Sequence, residues 1–238
     1  MKEHLFISSE FDFDQETIRI TDPRIVHQVG KVLRMKKGDK ILLGNGREKE
    51  VRAEILSLGK KEIRVLVKEV FTNQKEFRTD LSLFIAILKK DRMEWLVEKA
   101  TEVGVKRIIP INSQRTVKLN LRYDRLRKIA LEAAEQSGRG TVPEIREKMD
   151  LEEALEEAKN TQEENFFFDL SGDRFSFEPS GENPGRVGVF VGPEGGWSEE
   201  EISLAHNKDF SIVKMSELTL RGETAGILAS YLALFCRT

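Results

Sequence analysis

Apolar positions follow two different periods along this chain, and the change between them divides it. Up to about residue 70 the period is mostly two. Lys40-Ile41-Leu42-Leu43 runs into Gly44-Asn45-Gly46, whose Asn-Gly pair predicts a hairpin. Val51, Ala53 and Ile55 alternate with polar residues, as do Ile63, Val65 and Val67, with a turn at Gly59-Lys60-Lys61 between the runs. From Asp22 to Arg34 the spacing turns helical, with Ile25, Val26, Val29 and Leu33 behind an Asp-Pro start. The sum is a small β-barrel with one helical turn. Barrels of this size often bind RNA, and they also serve as spacers.

Phe71 to Asp80 has no period and reads as a linker, after which strands and helices alternate. Leu81–Leu88 predicts a strand. Asp91, with Glu94 at the capping-box position, predicts the start of a helix whose buried stripe is Met93, Leu96, Val97, Ala100 and Val103 and whose end is Gly104. A strand follows at Arg107–Ile111. The next helix is marked by Leu126, Ile129, Ala130, Ala133 and Ala134 and ends at Gly138. Asp150 and Glu153 cap an acidic helix. A strand at Asn165–Leu170 leads into a Gly/Ser/Pro loop reaching Gly185. Val187–Val191, a helix from Ser198, a strand near Phe210–Val213 and an apolar helix at Thr224–Phe235 complete the pattern. The expectation is a first domain over 1–72 and, over 78–238, an α/β domain with a mostly parallel sheet covered by helices. No internal repeat is present.

Charge adds a distribution rather than a total, since the net charge is only −2. Lys31, Arg34, Lys36, Lys37 and Lys40 cluster against Asp39, and from Lys106 to Arg139 nine basic residues face three acidic ones. Between Glu144 and Glu164 the balance inverts to nine acidic and three basic. Segregated basic clusters in a near-neutral chain fit a nucleic-acid face, and the acidic run reads as a solvated helix surface. The single cysteine, Cys236, excludes an internal disulfide, and three scattered histidines lack zinc spacing, so no metal is expected. No secretion signal and no run of about 20 apolar residues is present. The expectation is a soluble cytoplasmic protein without a membrane partner.

The stretch most suggestive of chemistry is Arg186 to Glu201. An apolar β-branched strand breaks at Gly192-Pro193-Glu194-Gly195-Gly196, and Ser198 with Glu201 forms a capping box opening the next helix. Strand, glycine-rich turn and helix N-terminus is where open α/β sheets bind ligands, although such a turn alone is as often only a tight turn. Neither Gly-x-x-x-x-Gly-Lys-Ser/Thr nor Gly-x-Gly-x-x-Gly is present, so a nucleoside triphosphate or dinucleotide is not required. Parallel strands would bring Asp169-Leu170, Gly192 to Gly196 and Met215 to Leu220 to one edge, a glycine- and leucine-walled pocket suited to a flat neutral group such as adenine. Glu223 suits the first turn of the last helix, whereas Arg221 stands at the unfavourable end of its dipole, which suggests a ligand role.

Gly-Pro-Glu-Gly-Gly-Trp-Ser after an apolar strand, with Leu-Arg-x-Glu-Thr-Ala near the end, resembles the RsmE family. The likeness extends to His27-Gln-Val-Gly-Lys-Val-Leu-Arg34, to Lys90 through Gly104, and to Glu135-Gln-Ser-Gly-Arg139 with Val142-Pro143. The resemblance implies an S-adenosylmethionine-dependent methyltransferase of the SPOUT class acting on N3 of a uridine in small-subunit (16S) ribosomal RNA of the 30S particle. It implies a PUA-like RNA-binding barrel, a C-terminal trefoil knot and a homodimer. By the same resemblance Leu170, Gly192, Pro193, Glu194, Gly195, Gly196, Met215, Ser216, Leu218 and Leu220 hold the cofactor. Arg221 would stabilise charge on the target base, Glu223 would take its proton, and His27, Arg34, Arg115 and Arg139 would contact RNA. The chain departs from the family at Ser216 and Leu218, where glycine and arginine are usual, and at Lys2-Glu3-His4, where an arginine is often found. The rival reading is a non-catalytic RNA- or ribosome-binding protein that keeps the fold.

Overall fold

The structure, a computed structural model, describes residues 3–116, 119–176 and 185–235; Lys2, Cys236 and residues 177–184 of the expected loop lie outside the described residues. The chain forms two compact units. The first runs up to Glu76 and takes in Ala134–Val142; the second consists of Phe77–Ala133 and the chain from Pro143 onward. A single boundary between residues 72 and 78 has no place for that return of residues 134–142.

The first unit holds β1 (Leu5–Ile7), β2 (Thr17–Ile20), α1 (Pro23–His27), β3 (Lys40–Gly44), β4 (Lys49–Leu58) and β5 (Ile63–Thr72). Their order in the sheet is β1-β3-β4-β5-β2, with β1 parallel to β3 and the other pairs antiparallel. Register shifts in the β4–β5 pair at Arg52/Ala53 and Ile55/Ser57 bend the sheet around its core, as bulges do. The alternation read from sequence supplies that core, with Ile41, Leu43, Val51, Ala53, Ile55, Ile63 and Val65 fully buried. β1 and β2 carry too little periodicity to be read in advance. The Asp22 side chain accepts from the Arg24 N–H at 2.8 Å and Pro23 opens α1. The helix then widens into a π-helical turn, Gln28–Val32, which buries Val29. Arg34 follows with φ of +52°, a left-handed conformation uncommon outside glycine.

Residues 134–142 are tied into this unit by polar side chains. The Glu135 carboxylate accepts from the Ile7 N–H and from Arg24 Nη1, both at 2.8 Å. Asn73 Nδ2 donates to Glu50 at 2.5 Å and to the Gly138 carbonyl at 3.2 Å.

The second unit is built on β6 (Asp80–Ala86), β7 (Arg107–Asn112), β8 (Glu144–Ile145), β9 (Met149–Asp150), β10 (Glu164–Arg174), β11 (Arg186–Val191) and β12 (Ser211–Lys214). Their order is β12-β10-β11-β6-β7-β8, with β9 also on β7, and every pair is parallel. The helices are α2 (Lys90–Val103), α3 (Tyr123–Ser137), α4 (Leu151–Thr161), α5 (Glu199–Asn207) and α6 (Gly222–Phe235). Leu81 to Ala86 is buried throughout, as a central parallel strand with both faces covered must be. Leu83 and Ile85 approach Gly226 of α6 on one face. On the other, Phe84 stacks on Phe190 at 4.3 Å and joins the α4 residues Leu151, Ala154, Leu155 and Ala158. Among the described residues no helix is long and apolar enough to cross a membrane.

Two boundaries differ from the sequence expectation. Asp91 does not cap α2: Lys89 is the capping residue, because its carbonyl already accepts from the Met93 N–H at 3.0 Å, which puts Asp91 inside the first turn. β10 does not stop at Leu170 but continues to Arg174. Its pairing with β12 jumps from Phe168 to Asp173, so residues 169–172 stand out as a bulge.

Candidate functional site

The bulge, the loop after β11 and the loop after β12 enclose a cavity that opens to solvent. The glycine-rich wall is fixed by hydrogen bonds. The Gly196 N–H donates to the Pro193 carbonyl at 2.9 Å, closing a turn whose last residue has φ of +69°, which glycine adopts freely. Trp197 Nε1 donates to the Phe168 carbonyl at 3.1 Å, and its indole lies so close to Gly192 that a Cβ there would come within 2.9 Å. Glycine at 192 is therefore a packing requirement.

Ser198 and Glu201 form the expected capping box: Ser198 Oγ accepts from the Glu201 N–H at 3.1 Å, and Glu201 Oε2 from the Ser198 N–H at 2.8 Å. The other Glu201 oxygen accepts from the Gln114 N–H at 2.8 Å. The Glu200 carboxyl is held below its ordinary range by its own backbone N–H and then by the Ser198 hydroxyl.

On the opposite wall, Asp169 Oδ1 accepts from the Ser171 N–H at 2.8 Å and from its hydroxyl at 2.6 Å, which shapes the bulge. In the third loop Ser216 Oγ accepts from the Leu218 N–H at 3.0 Å. Ser216 is not among the non-glycine residues with positive φ, so serine in place of the family's glycine carries no backbone strain and adds a turn-forming hydroxyl. Leu218 is 72 % exposed at the mouth, and Gly222 and Ala225 of α6 close the cavity's end.

Of the residues expected to hold a cofactor, Leu170, Gly192, Pro193, Glu194, Gly196, Met215, Ser216, Leu218 and Leu220 line this cavity. Gly195 does not; its carbonyl accepts from Arg115 Nη1 at 2.8 Å. Arg221 and Glu223 flank the cavity without lining it. Arg221 is exposed, and its carbonyl accepts from the Ala225 N–H at 2.8 Å to start α6. Glu223 is buried, with Oε1 3.7 Å from Arg92 Nε.

The four expected RNA contacts divide. His27 and Arg34 are exposed on the first unit. Arg115 is exposed in the second, but Nη1 is spent on the Gly195 and Trp197 carbonyls, at 2.8 and 3.1 Å, so it braces the glycine loop. Arg139 contradicts the expectation. It is 6 % exposed, and its guanidinium donates to both Glu76 oxygens at 3.1 and 2.8 Å and to Thr141 Oγ1 at 2.9 Å, so it is buried in an ion pair and not displayed on the surface.

The sequence reading passed over three residues at the site: Trp197 as a strand-to-loop tie, Lys214 in the cavity wall and Arg92 in α2. Arg92 carried a usable signal, since a cation in the first turn opposes the helix dipole just as Arg221 does.

Residues 75–234 match the family profile of an RNA methyltransferase domain, and residues 20–68 that of an RNA methyltransferase PUA domain. The chain is 30 % identical over 225 residues to the ribosomal RNA small subunit methyltransferase E of Rickettsia conorii, covering 91 % of this chain and 88 % of that protein. It is 33 % identical over 241 residues to the ribosomal RNA small subunit methyltransferase E 2 of Borreliella burgdorferi, covering 91 % of each. A crystal structure of ribosomal RNA small subunit methyltransferase E from Neisseria gonorrhoeae, bound to S-adenosyl methionine, superposes with a TM-score of 0.86 at 29 % identity, over 96 % of this chain and 95 % of that one. A PUA-like unit joined to a parallel α/β methyltransferase unit, with its glycine-walled cavity at the strand ends, thus places this chain in the ribosomal RNA small subunit methyltransferase E (RsmE) family.

Proposed function

We propose that this chain transfers the methyl group of S-adenosylmethionine to N3 of a uridine in small-subunit (16S) ribosomal RNA. The observation that carries the reading is the cavity between the Asp169–Ser171 bulge, the Gly192–Gly196 turn and the Met215–Leu220 loop. Its apolar walls and exposed backbone suit a flat heterocycle, and the indole of Trp197 packed against Gly192 fixes the course of the glycine-rich wall. Leu170, Met215, Leu218 and Leu220 would hold the adenine, with Gly192, Pro193 and Gly196 against the rest of the cofactor. Glu194 puts a carboxylate on the wall, favourable to a sulfonium.

The bound cofactor supplies an electrophilic methyl on a sulfur leaving group. Uracil N3 carries a proton and attacks only once it is lost, so the chain's task is alignment together with stabilisation of charge spread onto the flanking oxygens. The target base would leave its stack to reach the cavity. Arg221, exposed beside the cavity, is a candidate cation for those oxygens. Glu223, as the proton acceptor, would need its buried carboxylate uncovered.

In this reading the first unit, near 1–72, carries RNA through exposed His27 and Arg34, and the domain near 78–238 is catalytic. A trefoil knot formed by the C-terminal segment, and a cytoplasmic location beside the 30S subunit, belong to the same proposal. So does a homodimer, which is supported by Trp95 of α2 and Leu228, Tyr231 and Phe235 of α6, all exposed apolar side chains. Calorimetric titration with S-adenosylmethionine, followed by mass spectrometry of 16S RNA from 30S particles lacking the modification, tests it. Saturable binding lost in Gly192→Val, with one uridine gaining a methyl at N3, is the expected result. Binding without methylation would favour the non-catalytic rival.

A further inference from the structure

We infer that Arg92, assigned no role by the sequence reading, is the cation that meets the target base, and that Glu223 is a positioning residue for it rather than the proton acceptor. The inference rests on the proposed methyl transfer to uridine and deepens it. Arg92 lies in the first turn of α2, and its Nη1 pairs with Glu194 of the cavity wall while its Nε faces Glu223 Oε1 at 3.7 Å. One guanidinium thus joins the starts of α2 and α6 to the glycine-rich loop. Its side chain keeps 34 % of its surface, whereas that of Glu223 keeps 10 %. Glu223 Oε2 is buried without a hydrogen-bond partner among the described residues.

Those facts decide between two roles. Glu223 does not line the cavity and its Oε2 is buried, which suits it poorly to take a proton from a base there, but its charge can hold a neighbouring guanidinium. The 3.7 Å separation is an ion pair and too long for a hydrogen bond. Part of the Arg92 fork therefore remains uncommitted and partly exposed beside Glu194. A guanidinium N–H can donate to one of the two carbonyl oxygens flanking uracil N3, where negative charge accumulates once solvent has taken the N3 proton, and leaves the in-plane approach of the methyl to N3 open. Glu194 and Glu223, one on the wall and one behind it, fix the fork without neutralising both of its edges.

The test is a double-mutant cycle on the full-length protein with small-subunit RNA and S-adenosylmethionine. Arg92→Ala is expected to lower kcat about 100-fold, to leave the cofactor Kd within about threefold, and to regain turnover on addition of guanidinium ion. Arg92→Lys, which keeps the charge without the fork, covers the case in which the alanine variant does not fold, and is expected to lie between the two. Glu223→Gln is expected to lower kcat and to add nothing in an Arg92→Ala or Arg92→Lys background, since a positioning residue acts only through what it positions. Additive effects, or a fall in cofactor affinity that tracks turnover and is reproduced by Glu194→Gln, would make Arg92 a structural brace and overturn the inference. A wild-type protein that binds cofactor but methylates no uridine would overturn the proposed function, and this assignment with it.

Discussion

Trp197 Nε1 donates to the backbone carbonyl of Phe168 at 3.1 Å and so ties the end of the paired stretch of β10 to the loop that follows β11. One buried indole sets the spacing of two cavity walls, and its ring leaves room at position 192 for a hydrogen atom only. Trp197→Phe keeps most of the packing and removes the donor. The expected cost is about 1–2 kcal/mol of stability with weaker cofactor binding, measured by urea unfolding and calorimetry. Gly192→Ala should lose cofactor binding more completely, because its methyl group meets the indole.

Arg115→Ala removes two charge-assisted hydrogen bonds to the Gly195 and Trp197 carbonyls. Cofactor affinity should fall roughly tenfold, the equivalent of about 1.4 kcal/mol. The salt dependence of RNA binding should stay unchanged. Arg34→Ala should do the reverse, reducing the slope of log affinity against log salt by about one unit while leaving cofactor binding intact. Titrations of both ligands in both variants separate loop brace from RNA contact.

Arg139→Ala strands the Glu76 carboxylate inside the first unit, where the pair is 7 % and 5 % exposed. Breaking a buried pair by removing one partner costs about 3–5 kcal/mol, so a lower urea midpoint is expected instead of a specific loss of RNA affinity. Burial pushes the Glu76 carboxyl up, but the hydrogen bonds and charge of Arg139, with Thr141, outweigh it and hold the group below its ordinary range. A carboxyl depressed in the folded state contributes stability that is complete above its unfolded value and is lost as pH falls through the folded one. Glu76→Gln should therefore destabilise at pH 7, with the gap from wild type closing below about pH 4.

Tyr231→Glu places a charge on the exposed face where Tyr231 stacks on Phe235 at 4.2 Å. Sedimentation should show dimer for wild type and monomer for the variant, with cofactor binding weakened if the second chain completes the site.

Much of the fold could be read from periodicity because burial enforces it. Val51, Ala53 and Ile55 line one core, and Leu81 to Ala86 is apolar but for the buried Ser82 because helices cover both faces of its sheet. The Ser198 and Asp150 capping boxes are local chemistry within four residues and appear where expected. The Asp91 box is a local miss, since the helix already starts behind Lys89; the failures at the site are non-local. Nothing near Arg139 announces Glu76, which lies 63 residues earlier, and nothing near Arg115 announces carbonyls 80 residues later. The bulge at 169–172 escaped because strand periodicity simply stopped there, as it does at a true strand end. Resemblance supplied the cavity residues, and side-chain geometry then separated those lining it from Gly195, Arg221 and Glu223.

The grouping of residues 134–142 with the first unit has a consequence for synthesis. During translation the chain through Glu76 emerges without Arg139 for its buried glutamate, without Glu135 for the Ile7 amide and Arg24, and without the Gly138 carbonyl for Asn73. The N-terminal unit must wait, incomplete, until more of the chain has left the ribosome. A fragment cut at residue 76 inherits the same gap permanently, while a separate peptide carrying 134–142 would be the natural means of closing it.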